Sequence, residues 1–148
     1  MKAVLQRVSE ASVSVDGKIV GEIGPGLMIL FCAEQGDIED DATFFAHKAA
    51  KMRIFSDSEG KTNLDIAQKG GKMLVISQFT LAAVWRSGNR PGFSRAEAPD
   101  RAKMLYEKFC TVLRADGIHV ETGIFAADMK VHLINDGPFT IVMDSRDI

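Results

Sequence analysis

The sequence predicts one α/β domain of the α+β kind, with a mainly antiparallel sheet and two long helices. Three observations carry this. Val-rich, alternating segments separated by Gly-containing turns fill the first 33 residues. Two later segments repeat apolar residues at helical spacing, and two short apolar runs near the end flank a Gly-Pro. A length of 148 residues suits a single buried core, and no repeat, linker or low-complexity stretch divides it, so residues 1–148 are read as one domain.

The elements follow in order. Ala3 to Val15 reads as a strand, with strict alternation over Ala11-Ser12-Val13-Ser14-Val15. Asp16-Gly17 is a hairpin signal, and Lys18 to Ile23 is the returning strand. Gly24-Pro25-Gly26 makes a second turn before a buried strand, Leu27 to Ala33. Asp37 is placed to cap a helix from Ile38 to Met52, whose Ile38, Ala42, Phe45, Ala49 and Met52 share one face. Arg53-Ile54-Phe55 is short and extended, and Gly70-Gly71 opens a strand, Met73 to Ile76. After a polar loop from Arg86 to Ala98, Pro99 starts a second helix with the stripe Ala102, Leu105, Phe109 and Val112, ended by Gly117. Lys130 to Ile134 and Phe139 to Met143 are the last two strands, around Asn135-Asp136-Gly137-Pro138.

Composition excludes several classes. Hydrophobic residues at 46% and charged residues at 26% exclude a disordered chain. The longest apolar run, Leu27 to Ala33, is far short of a membrane span. Gln6 and Arg7 interrupt the N-terminal apolar stretch, so no secretory signal is read there and the cytoplasm is the expected location. Cys32 and Cys110 sit in apolar surroundings without a CxxC or Cys/His signature, and are read as buried thiols. A net charge of -2 rules out bulk polyanion binding, so any nucleic-acid contact needs a local patch. One candidate runs from Arg86 to Lys103: Arg86, Arg90, Arg95, Arg101 and Lys103 against Glu97 and Asp100, interleaved with Trp85 and Phe93. By itself this segment reads as a solvated loop.

The common catalytic sets are missing from the sequence. No GxSxG elbow, P-loop or GxGxxG follows a strand, and His47, His119 and His132 lack metal-ligand spacing. Neither a metal nor a cofactor is expected. Two local features remain. Ser77-Gln78-Phe79-Thr80-Leu81 follows an apolar strand, and Asn135-Asp136-Gly137-Pro138-Phe139-Thr140 lies between two others. Taken singly, the first reads as a strand running into a turn and the second as a hairpin turn.

Taken together, with Met1-Lys2-Ala3-Val4-Leu5-Gln6-Arg7-Val8, Arg53-Ile54-Phe55-Ser56-Asp57 and Phe125-Ala126-Ala127-Asp128-Met129 in the same order, they resemble D-aminoacyl-tRNA deacylase over essentially the whole chain. The loop Val84-Trp85-Arg86-Ser87 departs from the small polar residues expected there, and Gly92 stands where the family often has Ser. The resemblance implies a homodimer that hydrolyses the ester of D-aminoacyl-tRNA, and of Gly-tRNA, at the 3′ acceptor end. It implies a catalytic group of Ser77, Gln78, Phe79 and Thr80 that acts through main-chain N–H groups near Phe79 and Thr80, with no side-chain nucleophile. The substrate's own 2′-hydroxyl then helps activate water, and Gln78 is a hydrogen-bond partner for the terminal adenosine. L-Residues are expected to be rejected by a cis Gly137-Pro138 inserted into the partner subunit's pocket, with Arg7 as a brace and Met129 in the same substrate-binding set. Arg86, Arg90 and Arg95 are expected on acceptor-stem phosphates, and neither DNA nor membrane is expected as a partner. The alternatives are a sister deacylase for another mischarged tRNA, a Ser77 or Thr80 esterase, and a non-catalytic RNA-binding dimer.

Overall fold

The computed structural model describes residues 1–147. A bent first strand, β1 (Lys2–Val15), organises the molecule. Its first half pairs antiparallel with β3 (Gly26–Cys32), and its second half with β2 (Lys18–Ile23). The hairpin at Asp16-Gly17 is formed as expected, with both residues at positive φ. Helix α1 (Glu39–Lys51), the small ribbon β4 (Phe55–Ser56) and β5 (Thr62–Leu64), and the single turn α2 (Ile66–Lys69) then carry the chain to β6 (Lys72–Ser77). β6 pairs parallel with β3. Helix α3 (Pro99–Ala115) makes a second crossover to β7 (Val120–Thr122), parallel to β6. The long β8 (Lys130–Asp144) returns along the other edge of β1. The sheet is mixed but mainly antiparallel, as expected: the ladders of β1 with β2, β3 and β8 are antiparallel, and the parallel pairings β3–β6 and β6–β7 arise because both helices serve as crossovers. The α+β class and the two long helices are as expected.

The main core lies between the sheet and α1 and α3. Leu5, Ile29, Phe31, Val75, Phe45, Leu105 and Phe109 are buried there, and the rings of Phe31 and Phe109 sit 4.8 Å apart. The Tyr106 hydroxyl donates to the Val75 carbonyl at 2.8 Å, tying α3 to β6. A second cluster (Val8, Ala11, Val13, Met28, Leu74 and Ile76) fills the opposite face of the sheet, where β1 curls over it. No helix is long and apolar enough to cross a membrane among the described residues.

Three expectations need correction. Asp37 does not cap α1. Ile38 precedes that helix, and its N–H is met instead by the Asp41 carboxylate at 2.9 Å. Asp37 turns inward to the Met1 ammonium at 2.7 Å and accepts from the Glu34 N–H at 2.7 Å. Ile38 is consequently half exposed rather than part of the apolar face. The third correction concerns the ending: Lys130–Ile134 and Phe139–Met143 belong to one strand, and Asn135–Thr140 is no hairpin turn. Gln6 pairs with Thr140 and Val8 with Asn135, so residues 136–139 bulge out of the ladder opposite Arg7.

Candidate active site

Because β3 and β6 run parallel with Phe31 opposite Ser77, both strands release their chains at the same edge of the sheet. The carboxyl ends of parallel strands are where open α/β sheets leave clefts. A cavity of about 480 Å³ opens there. Its floor is Phe31, Cys32 and Ala33 at the end of β3 and Ile76, Ser77, Gln78 and Phe79 at and just past the end of β6. One wall is the segment Phe125–Met129, and the other is Ala96–Ala102, which leads into α3.

Local chemistry shapes the floor. The Gln78 N–H donates to the Phe31 carbonyl at 2.7 Å, the last rung between the two strands. The chain then tightens into a 3₁₀ turn, Phe79–Ala82, closed by the Leu81 N–H on the Gln78 carbonyl at 3.2 Å. The first amides of such a turn, those of Phe79 and Thr80, have no acceptor within it. The Gln78 side-chain amide donates to the Thr80 hydroxyl, and Thr80 itself is exposed on the outer side of the turn. Cys32 is buried, with its Sγ 3.5 Å from the Phe79 carbonyl. Burial, reinforced by Glu34, pushes its thiol up to about 11, so at neutral pH it is a neutral donor rather than a nucleophile.

On the far wall, Ala126 holds a left-handed φ of 64°. Backbone of this kind persists where its surroundings over-determine it, often beside functional clefts. Gly123 packs against the same wall: a Cβ there would meet the Met129 Sδ at 2.5 Å.

The structure brings together four of the expected site residues, Ser77, Gln78, Phe79 and Met129. Thr80 adjoins the cavity through its backbone and its bond to Gln78. Arg7, Gly137 and Pro138 do not line the cavity. They form a second constellation on the bulge of β8. The Arg7 guanidinium donates to the Asp136 carbonyl at 2.9 Å and to the Ile54 carbonyl at 2.8 Å, and lies 4.7 Å from the centre of the Phe139 ring. The Gly137–Pro138 peptide bond is cis, Gly137 has a φ of 146°, and both residues are exposed. The Asn135 carboxamide closes the bulge, accepting from the Phe139 N–H and donating to the Thr140 hydroxyl, each at 2.9 Å.

The basic segment is smaller than its composition suggests. Arg101 is engaged by Glu97 at 3.3 Å and by the Asp37 carbonyl, and Lys103 lies 3.8 Å from Glu107. Arg86, Arg90 and Arg95 are exposed on the loop beside the cavity. No histidine lines the cavity. His47, His119 and His132 stand at the surface, each beside a carboxylate. The cavity walls from β3 and from Ala96–Ala102 were not foreseen. The β3 residues are apolar and read as core, Ala96–Ala98 read as part of a polar loop, and neither carries a local motif that points to a cleft.

Comparison with known proteins bears on this site. The family described as D-Tyr-tRNA(Tyr) deacylase matches residues 4–144. A D-aminoacyl-tRNA deacylase of Paracoccus denitrificans (strain Pd 1222) is 58% identical over 147 residues, covering 99% of each chain. Another, of Syntrophotalea carbinolica (strain DSM 2380 / NBRC 103641 / GraBd1), is 55% identical over 148 residues, covering 100% of this chain and 99% of that one. The solved structure of a c-Myc DNA unwinding element binding protein superposes with a TM-score of 0.92 at 36% identity, over 98% of this chain and 99% of that chain. A probable eukaryotic D-amino acid tRNA deacylase shares the fold, with a TM-score of 0.81 at 18% identity over 96% of this chain and 97% of the other. With one family matched from Val4 to Asp144 and relatives this similar along their whole length, the chain belongs to the D-aminoacyl-tRNA deacylase family, a family of hydrolases acting on ester bonds.

Proposed function

We propose that the protein acts in the cytoplasm as a homodimer that hydrolyses the ester of D-aminoacyl-tRNA and of Gly-tRNA, and spares L-aminoacyl-tRNA. The observation that carries this reading is the cavity at the ends of β3 and β6. Its floor offers the neutral Cys32 thiol and no histidine lines it; its two carboxylates, Glu97 and Asp128, are engaged by Arg101 and Lys130. Such a site suits an ester that is already activated. The protein orients it and supports the developing oxyanion with the Phe79 and Thr80 N–H groups, while the substrate's 2′-hydroxyl assists the attacking water. Gln78 pairs with the terminal adenosine.

Chirality is read by exclusion. In this reading the exposed Gly137–Pro138 bulge, braced by Arg7, enters the partner subunit's cavity, and its main-chain oxygens occupy the volume an L-side chain needs. Glycine, with no side chain, passes the same filter. The edge of the sheet supports a dimer: β8 pairs only with β1 among the described strands, and Ile134 and Val142 are at least half exposed on it. A long, apolar, unpaired edge strand invites a second copy. Arg86, Arg90 and Arg95 take acceptor-stem phosphates.

Deacylation of D-Tyr-tRNA, L-Tyr-tRNA and Gly-tRNA by the purified protein tests the reading. Release from the first and third with the second intact is expected. Equal turnover of both mirror forms would overturn it, and turnover of L-Tyr-tRNA alone would point to the sister specificity.

A further inference from the structure

Beyond the cavity rim lies a feature that hydrolysis does not use. Trp85 is 70% exposed, at the start of the loop that follows the Phe79–Ala82 turn. The loop is built rather than loose. Val84 and Gly92 exchange both main-chain hydrogen bonds, at 2.7 and 3.0 Å, and so pinch residues 85–91 into a closed tip. Phe93, just past the pinch, packs edge-on against Phe79 with ring centres 5.0 Å apart, and Phe79 lines the cavity. The loop tip is thus coupled to the cavity mouth by an aromatic contact. The tip carries Arg86 and Arg90 and no acid, and the Arg86 guanidinium lies 5.7 Å from the centre of the Trp85 ring. The indole stands exposed with Arg86 beside it and no acid on the tip to offset the charge, surroundings that favour an anionic ligand with a planar face.

We propose that Trp85 is a stacking platform for an unpaired nucleotide base in the single-stranded tail that leads into the cavity, with Arg86 and Arg90 on the phosphates where that tail joins the acceptor stem. This rests on the tRNA-deacylase reading above and adds a subsite to it. Every base offers a π-face, so stacking of this kind holds the tail without reading its sequence. It selects a single-stranded end over a fully paired one, because bases stacked within a duplex have no free face to give.

Trp85 is the only tryptophan in the chain, so indole emission, excited to the red of the Tyr106 absorption, reports on this loop alone. The test uses an uncharged RNA stem with a single-stranded 3′ tail and the same stem without it. Both carry a 5′ dye, whose anisotropy follows binding independently of the indole. The tailed RNA is expected to quench Trp85 with the same midpoint as the anisotropy change, and the blunt stem to leave the emission unchanged. Trp85→Ala is expected to weaken binding of the tailed RNA about tenfold, and Trp85→Phe to stay within about threefold of the parent. Binding seen by anisotropy, with unchanged emission and an undiminished Trp85→Ala, overturns the platform and leaves the RNA reading standing. Absence of binding in both channels overturns the RNA reading itself. Emission already blue-shifted and shielded from acrylamide in the free protein assigns the ring to a contact between copies and also overturns the proposal.

Discussion

Thr80 and Arg7 are given different parts in the proposed reaction, and each part can be tested. The Thr80 hydroxyl receives the Gln78 amide and Thr80 is not among the residues lining the cavity, so under the proposed mechanism its contribution is the main-chain N–H. Thr80→Ala keeps that N–H, and its kcat is expected to stay within about threefold of the parent, where loss of a true oxyanion donor costs roughly 100-fold or more. Single-turnover deacylation of D-Tyr-tRNA measures this, and abolished turnover in a folded variant would mean the hydroxyl itself reacts. Arg7 holds the bulge of β8 through two carbonyls, Asp136 and Ile54. Arg7→Ala removes both bonds at a cost of about 2 kcal/mol and frees the loop. The expected result is a new hydrolysis of L-Tyr-tRNA, with D-Tyr-tRNA turnover less affected. Unchanged chiral discrimination would remove Arg7 from that role. At this scale the sequence was legible where a motif is local: Ser77, Gln78 and Phe79 adjoin in the chain and in the cavity. Asp37 was misread because its partner is the Met1 ammonium, 36 residues away, which no local pattern reveals.

Among the elements, the hydrophobic pattern placed α1, α3, β1, β2, β3 and β6 within a residue or two, since α1, α3 and β1 bury a regular face and β3 and β6 are short apolar runs buried on both faces. It failed at β8. The cluster Asn135-Asp136-Gly137-Pro138 has every mark of a turn, yet both flanking segments find their partners on the same edge of β1. Turn chemistry reports that the ladder is interrupted and says nothing about whether the chain reverses. The cavity wall depends on a similarly non-local fit. Gly123, next after β7, leaves room for the Met129 thioether. Gly123→Ala drives Met129 toward the cavity, and overpacking of this sort costs about 1–3 kcal/mol. We expect a raised KM for D-aminoacyl-tRNA with a smaller change in kcat. Met129→Ala in the same chain is expected to restore KM, a coupling that a double-mutant cycle measures. Additive effects of the two substitutions would place the damage elsewhere.

For the whole molecule, pH probes the core and mutation of the free edge probes the assembly. Burial pushes both Cys32 and Cys110 up to about 11, from an ordinary value of 9.0. The folded state therefore keeps its thiols protonated after those of the unfolded chain have ionised. Their contribution to stability is full below pH 9 and is lost as pH rises toward 11. Urea midpoints are expected to be level through neutral pH and to fall between pH 9 and 11, with a shallower fall in Cys32→Ala/Cys110→Ala. An identical fall in the double variant would assign the alkaline loss to other groups. The proposed dimer would use the edge that β8 leaves open. Val142 is 68% exposed in the isolated chain, on a strand with one side of its ladder unused. A charge there leaves the monomer's own core untouched and has to be desolvated only if a second copy covers it. Val142→Glu should consequently keep its thermal unfolding profile at low concentration while shifting from dimer to monomer in sedimentation. If the Gly137–Pro138 bulge acts across the interface, the same variant should lose discrimination between D- and L-Tyr-tRNA in step with dissociation. A monomer that still spared L-Tyr-tRNA would locate the chiral filter within one chain, and a variant still dimeric would move the interface away from this edge.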